Sequence, residues 1–258
     1  MGNISFLLPT YNCEKSIRTT LESIKWADEI VIIDSFSTDN TLSIVKEYTE
    51  LIFQHEYINS AHQKNNAIQF CNHEWIFQID SDETLEEKAE EIIRNAINNA
   101  DENTHCFKMP RKNHVLGKWV KYGGLYPDWE YRLFRKNKGR WLEKEVHSRV
   151  VVKGKTILLD TSIIHNGMPN ISKQVSNLDR YSRYEADELK KKNVQFSWIR
   201  WLISPPIIFF KKYIIQKGIL DGWRGFFLAA YSAIYIFMSH AKLKEIELLD
   251  LDRSPQSD

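Results

Sequence analysis

Cysteine is scarce in this chain: three among 258 residues, Cys13, Cys71 and Cys106, with neither metal-ligand spacing nor a disulfide pattern. That excludes a disulfide scaffold and a thiolate metal site, and it suits a reducing cytoplasm. Net charge is nearly absent as well, +1 from 35 Lys and Arg against 34 Asp and Glu, so nothing points to nucleic acid as a partner. There is no internal repeat and no low-complexity linker. The first residues enter a strand pattern without a charged n-region and apolar h-region, so no signal peptide is expected. Phe226 to Ala241 lacks formal charge but is shorter than the ~20 residues of a comfortable bilayer span. What remains is ordinary: 43% apolar and 27% charged residues, enough chain for one large domain and an appendage.

The most informative element is Asp80-Ser81-Asp82, directly behind the apolar run Trp75 to Ile79. Ligands of open α/β sheets collect at the carboxyl ends of strands. Two carboxylates one residue apart there can hold a hard divalent cation, with phosphate oxygens completing its shell. The competing reading is a helix start. Asp82 and Thr84 would cap a helix carrying Leu85, Ala89, Ile92, Ile93 and Ala96, with Glu83, Glu86 and Glu87 at its positive end. Taken alone, the motif favours the cap.

Apolar periodicity alternates strands and helices through the first half. Strands are expected at residues 4–8, 29–34, 51–53, 75–79 and 106–111, and helices at 15–25, 39–49, 61–71 and 84–100, the pattern of a mostly parallel sheet covered on both faces. Val150 to Val152 and Ile157 to Leu159 read as a hairpin about Gly154, and Ile163 to His165 as a short strand. From about residue 171 the period is helical, with a frayed polar tail from about residue 250. The expected division is residues 1–168 and 169–258.

Three further motifs precede Asp80 in fixed order: Pro9-Thr10-Tyr11-Asn12 after the first strand, Asp34-Ser35-Phe36-Ser37-Thr38-Asp39 after the second, and Lys64-Asn65-Asn66 in a helix. On these residues the chain resembles the inverting family 2 glycosyltransferases of GT-A fold. A second block, Gly117-Lys118-Trp119, Gly123 to Asp128, Arg132 to Arg135, Val146-His147 and Gly218 to Gly222, looks like the bacterial transferases that add glucose or a related hexose to lipopolysaccharide inner core.

That resemblance implies a UDP-sugar donor, a lipid-linked saccharide acceptor and Mn²⁺ or Mg²⁺. Asp82 becomes the main metal ligand with Asp80 nearer ribose or metal, and His147, with His165 as an alternative, a further ligand. Pro9, Thr10, Tyr11, Asn12, Asp34, Ser35, Lys64, Asn65, Asp80 and Ser81 form the implied donor set. Many relatives carry a second acidic residue where this chain has Ser35, and one after Val-His where it has Ser148. For Asp39 a cap is the preferred reading. The family's usual Glu-Asp base marker is missing. Asp128, behind the stiff Pro127, stands at about the right distance, with Glu130 two residues on. The bland alternative pairs Asp128 with Arg132 or Arg135, which otherwise could clamp acceptor phosphate.

The C-terminal region interleaves Trp198, Trp201, Tyr213 and Trp223 with Arg200, Lys211, Lys212, Lys217 and Arg224. Such helices suit an anionic membrane surface, though a helical cap on the catalytic domain reads the same way. The expected location is cytoplasmic, peripheral on the inner face of the cytoplasmic membrane. Gln195 and Arg200-Trp201 miss the spacing of the Gln-x-x-Arg-Trp motif of processive relatives, which favours one sugar per encounter. Transfer to another cell-surface glycan, a nucleotidyltransferase and a non-catalytic membrane module are the alternatives. The second lacks its Gly-rich N-terminal loop, and the third leaves Asp34, Asp80 and Asp82 without a purpose.

Overall fold

The computed structural model describes residues 2–142 and 150–253. Two compact units emerge, one of residues 1–112 and 127–167, the other of 113–126 and 168–258. Residues 113–126, grouped with the N-terminal domain on sequence, thus cluster with the helical region.

In the first unit β1 (Ile4–Thr10), α1 (Ile17–Ile24), β2 (Glu29–Asp34), α2 (Thr41–Val45), β3 (Ile52–Gln54), α3 (Ser60–Ile68) and β4 (Trp75–Gln78) follow the expected alternation. Then come β5 (Glu83–Leu85), α4 (Ala89–Asn98), β6 (Thr104–Val115), β7 (Lys118–Trp119, which belongs to the second unit), β8 (Asp128–Arg135), β9 (Gly139–Trp141), β10 (Val150–Val152), β11 (Lys155–Leu158) and β12 (Ile163–Met168). The main sheet runs β3-β2-β1-β4-β8-β6-β12-β5. Its first four strands are parallel, and β8 lies antiparallel to both β4 and β6. This is the expected α/β class, a mostly parallel sheet with flanking helices.

Strand alternation explains why both faces are covered. Ile4, Phe6, Leu8, Ile30, Ile32, Trp75 and Phe77 point to one face, packed on Ile17, Leu21 and Ile24 of α1 and Ile93 and Ile97 of α4. Leu7, Val31, Ile33 and Ile76 point to the other, under Ala61 and Ala67 of α3. Phe6 stacks on Phe77 with ring centroids 4.7 Å apart. Each buried ring of this kind contributes ~1.5–3 kcal/mol.

Two local expectations fail. Residues 83–85 are not a helix start but the strand β5, paired antiparallel to β12, and α4 begins only at Ala89. Glu83 is buried there and ion-paired to Arg132, a long-range partner that a local helix period cannot reveal. The hairpin about Gly154 does not form either. β10 pairs with β9, while β11 joins β6 in parallel. Gly154, at φ +134°, lets the chain leave one sheet for the other, and a Cβ there would lie 1.9 Å from His105 Nδ1.

The second unit contains α5 (Ile171–Lys191), α6 (Trp198–Phe210) and α7 (Trp223–Arg253), with a π-helical turn Lys211–Ile215 and a 3₁₀ turn Gly218–Asp221 between the last two. Asn170 caps α5 by accepting from Lys173 N at 2.8 Å. α6 and α7 form an antiparallel pair in which Trp201 stacks on Phe237 and Phe209 meets Phe226. Asp221 accepts from Lys121 N and Tyr122 N, Gln216 O from Gly123 N, and Arg224 donates to the carbonyls of Val115 and Leu116. The Gly117 to Tyr126 and Gly218 to Gly222 motifs are therefore two halves of one clasp. No α6 residue is buried, and Trp198, Ile199, Leu202, Ile203, Ile207 and Phe210 are all exposed. By length and composition alone, Trp223–Asp250 within α7 is long and apolar enough to cross a membrane, although its uncharged run is shorter.

Candidate active site

Chain order sends β2 and β3 to one side of β1 and β4 to the other, so the sheet reverses its winding between β1 and β4. A crevice opens at such a switch point, beyond the carboxyl ends of the strands. The loops after Thr10 and Gln78 border it, and the loop after Asp34 adjoins the first.

Those loops are wired by their own side chains. The buried Asp34 carboxylate accepts from Thr10 Oγ1 (2.9 Å), Ser37 N (2.8 Å), Ser37 Oγ (2.5 Å) and Gln54 Nε2 (3.3 Å). Asn12, in a left-handed conformation, accepts from Thr38 N through its side chain and donates its own N–H to Ser37 Oγ. Ser35 Oγ accepts from Gln63 Nε2 at 2.6 Å. Asp39 accepts from Thr41 N at the start of α2 and from Glu14 N ahead of α1, while Asn40 holds the cap position of α2 without a side-chain hydrogen bond. Pro9 sits in β1 opposite Ile33. Tyr11 and Phe36 remain exposed on these loops. Phe36 holds φ +58°, a conformation that costs a non-glycine residue ~1–3 kcal/mol and clusters at functional sites.

A line of alternating charge runs away from these loops. Lys64 Nζ lies 3.0 Å from Asp80 Oδ1, and Arg132 Nη1 lies 3.3 Å from Asp80 Oδ2. Arg132 Nη2 is 2.6 Å from Glu83 Oε1, which Arg111 approaches at 3.6 Å. Arg111 in turn binds Asp128 at 2.8 Å and Glu130 at 3.3 Å. Burial works against the Asp80 carboxylate, but Lys64 and Arg132 prevail and hold its pKa below the carboxylate range. Burial lifts Glu83 to about 7, against the pull of Arg132 and Arg111. Arg132 is pushed above its usual value by Glu83 and Asp80 despite its own burial. Buried charges survive only in such compensated sets.

Both arginines expected as an acceptor clamp are engaged by the protein's own groups. Arg132 is the extra residue of a bulge in β8, since Lys108 pairs with Tyr131 and Phe107 with Leu133. The bulge re-aims its guanidinium beneath Asp80 and Glu83. Arg135 faces Trp75 across the sheet, at the end of β4 remote from Asp80, and donates to the carbonyls of Thr104 and Asp101. Nor does either pair with Asp128; Arg111 takes that role. Asn65 exchanges two hydrogen bonds with the Trp141 backbone, pinning β9 to α3.

Asp82 stands apart from this line. Its Oδ1 is 3.7 Å from His165 Nε2, and its carbonyl accepts from Asn166 N. Thr20 Oγ1 donates to Ser81 O, fixing the turn from the α1 side. Gly167 makes room for the imidazole, because a Cβ there would come within 2.4 Å of the ring. Burial pushes His165 below its ordinary pKa, with Asp82 pulling the other way. A carboxylate oxygen beside a neutral imidazole nitrogen is a donor pair that fits Mn²⁺ and tolerates Mg²⁺. Among the described residues no three His, Cys, Asp or Glu side chains gather closely enough to hold an ion unaided. Of the expected ligands, Asp80 is engaged by two cations, Asp82 has His165 beside it, and His147 lies outside the described residues.

Residues 5–153, more than half of the sequence, match the family described as glycosyl transferase family 2. The chain belongs to that family. This glycosyltransferase is 28% identical over 247 residues to the lipopolysaccharide core biosynthesis glycosyltransferase LpsC of Rhizobium meliloti (strain 1021), covering 93% of this chain and 91% of that one. An uncharacterized glycosyltransferase of Rickettsia typhi (strain ATCC VR-144 / Wilmington) is 26% identical over 269 residues, 96% of this chain and 89% of the other. The crystal structure of S. aureus TarS 1-349 overlays on 95% of this chain and 91% of that one, with a TM-score of 0.46 and 15% identity. Glu83 and Arg111 escaped the sequence reading of the site. Arg111 closes a predicted strand and belongs to no motif, and only the register that sets it opposite Asp128 reveals it.

Proposed function

We propose that this family 2 enzyme moves a hexose, glucose or a close relative, from a UDP-sugar to a lipid-linked saccharide of the lipopolysaccharide-core type. Transfer is by single displacement with inversion, one sugar per encounter, at the cytoplasmic face of the membrane. The observation that carries the reading is the pairing of Asp82 with His165 at the switch-point crevice, with a second carboxylate set at Asp128 and Glu130 at the start of β8. The similarity to the lipopolysaccharide core biosynthesis glycosyltransferase of Rhizobium supports the acceptor class.

The loops after β1 and β2 cradle the nucleotide, with Tyr11 as an exposed platform and Asp34 keeping the loops in shape. Asp82 and His165 would hold a divalent cation, which supplies neutralising charge to the leaving diphosphate. Asp128 takes the proton of the acceptor hydroxyl as that oxygen bonds to C1 and the C1–O bond to UDP breaks. UDP leaves with the bonding electrons, and the configuration at C1 inverts. Incubating the protein with a panel of UDP-sugars and Mn²⁺ should release UDP from one of them, most strongly with lipid-linked core extract present. No UDP release from any donor, with or without extract, would sink the reading.

Membrane association completes it. Ile199, Ile203 and Ile207 lie four residues apart along one exposed stripe of α6, beside Trp198 and ahead of the basic Lys211. An uncovered apolar face of this size marks an interaction surface, and interfacial helices pair such faces with basic residues. Ile199→Glu with Ile203→Glu should therefore abolish sedimentation with phosphatidylglycerol vesicles while the melting temperature holds. At ~1.5–3 kcal/mol per buried Ile, binding should fall on the order of 10²-fold or more. Equal binding of the double variant would place the acceptor encounter elsewhere. Lys212 is a poorer target, because its half-buried ammonium donates to Gly123 O.

A further inference from the structure

Asp128 and Glu130 are one residue apart in β8, so their side chains leave the strand on the same face. Between them stands one guanidinium. Arg111 Nε and Nη2 both reach Asp128 Oδ2, at 2.9 and 2.8 Å, and Nη2 also reaches Glu130 Oε1 at 3.3 Å. The pairing is built into the sheet, since Arg111 lies directly opposite Asp128 in the β6–β8 register. On its inner side the guanidinium is anchored by the fully buried Glu83, itself gripped by Arg132. A guanidinium is a rigid planar fork, and one held from behind by a buried carboxylate presents its front to the next with little freedom left.

We infer that Arg111 is a positioning residue for the proton-accepting carboxylate, its fork setting the direction of Asp128 with Glu130 beside it. The inference rests on the proposed role of Asp128 as base. On this reading Arg111 acts through the carboxylate, as a group that aims it. Among the described residues, the charged groups around the pair include Arg111 from β6, Glu83 from β5, Arg132 from β8 and His165 from β12, on which Arg111 also acts electrostatically.

The test is the pH profile of UDP release from UDP-glucose with Mn²⁺, for the full chain carrying Arg111→Gln or Arg111→Lys, each alone and combined with Asp128→Asn. The acid limb of kcat/KM in Arg111→Gln should move to higher pH, because the two carboxylates lose the cation between them, with kcat lowered. Arg111→Lys keeps the charge but not the fork, so its limb should stay near that of the parent while kcat falls. In the Asp128→Asn background either change should cost little more and move no limb. A limb shift that persists in that background belongs to His165 and overturns the inference, as does an Arg111→Gln limb that coincides with the parent's. Should Arg111→Gln lose its cooperative melting transition, Arg111→Lys decides: a kcat loss as large with Asp128→Asn as without it overturns the inference. Failure of the underlying reading looks different. There the parent releases no UDP, or Asp128→Asn and Glu130→Gln both keep parental turnover.

Discussion

Asp82→Asn is expected to abolish sugar transfer while leaving the melting temperature within a degree or two of the parent. The second half of that expectation comes from the contacts. Asp82 keeps a third of its side chain in solvent, and the neighbour recorded for its carboxylate is His165, at 3.7 Å. The turn itself is fixed through backbone groups, by Asn166 N on Asp82 O and Thr20 Oγ1 on Ser81 O, which an amide side chain leaves alone. Asp80 would be a poor choice for the same test. Its loss takes the carboxylate from Lys64 and one of two from the buried Arg132, and uncovering buried cations is strongly destabilising. The first half comes from chemistry. An amide is a neutral and weaker ligand for a hard cation, and a diphosphate leaving group needs its charge offset. Mn²⁺ titration by calorimetry should show weakened binding in parallel with lost UDP release. Near-parental turnover, or full activity of the parent in excess EDTA, would remove the metal from the mechanism.

How far the sequence could be read depended on whether a signal was local. Strands β1, β2 and β4 announce themselves because both faces are buried, so Ile4 to Leu8, Ile30 to Ile33 and Trp75 to Ile79 are nearly unbroken apolar runs. The carboxylates at the end of β4 and the loops after β1 and β2 were legible for the same reason, as polar motifs set hard against those runs. Signals that depend on distant partners were not. Glu83 reads as a first-turn helix acid until Arg132, 49 residues on, buries it in a strand. Arg132 reads as a surface clamp until a bulge turns it inward. Val150 to Leu159 carries a good hairpin pattern, yet β10 finds Trp141 and β11 finds Phe107 as better apolar company. A lone histidine has no direction in sequence, and His165 gained significance only when β12 paired with β5 and set it beside Asp82.

Asp128→Asn should lower kcat sharply with KM for the UDP-sugar little changed. β8 runs antiparallel to β4, so its first residues come to the end of the sheet where Asp80 and Asp82 leave β4. There Asp128 is a third exposed and held by the Arg111 fork, rather than buried in a pair that would silence it. An asparagine of the same shape keeps a hydrogen-bond acceptor for Arg111 but cannot take a proton. Removal of a general base of this kind typically costs ~10²–10⁴-fold. The proposed nucleotide loops are built from Thr10, Asn12, Asp34 and Ser37, which hold one another rather than the Arg111 fork, which is why donor affinity should survive. Glu130 provides the internal control, being on the same strand face, equally exposed and on the same guanidinium. If Glu130→Gln produced the large kcat loss and Asp128→Asn did not, the base would move two residues along the strand. Chemical rescue separates a lost proton acceptor from a displaced loop: added azide or formate should restore part of the UDP release in whichever variant removed the base, and in the other it should do nothing.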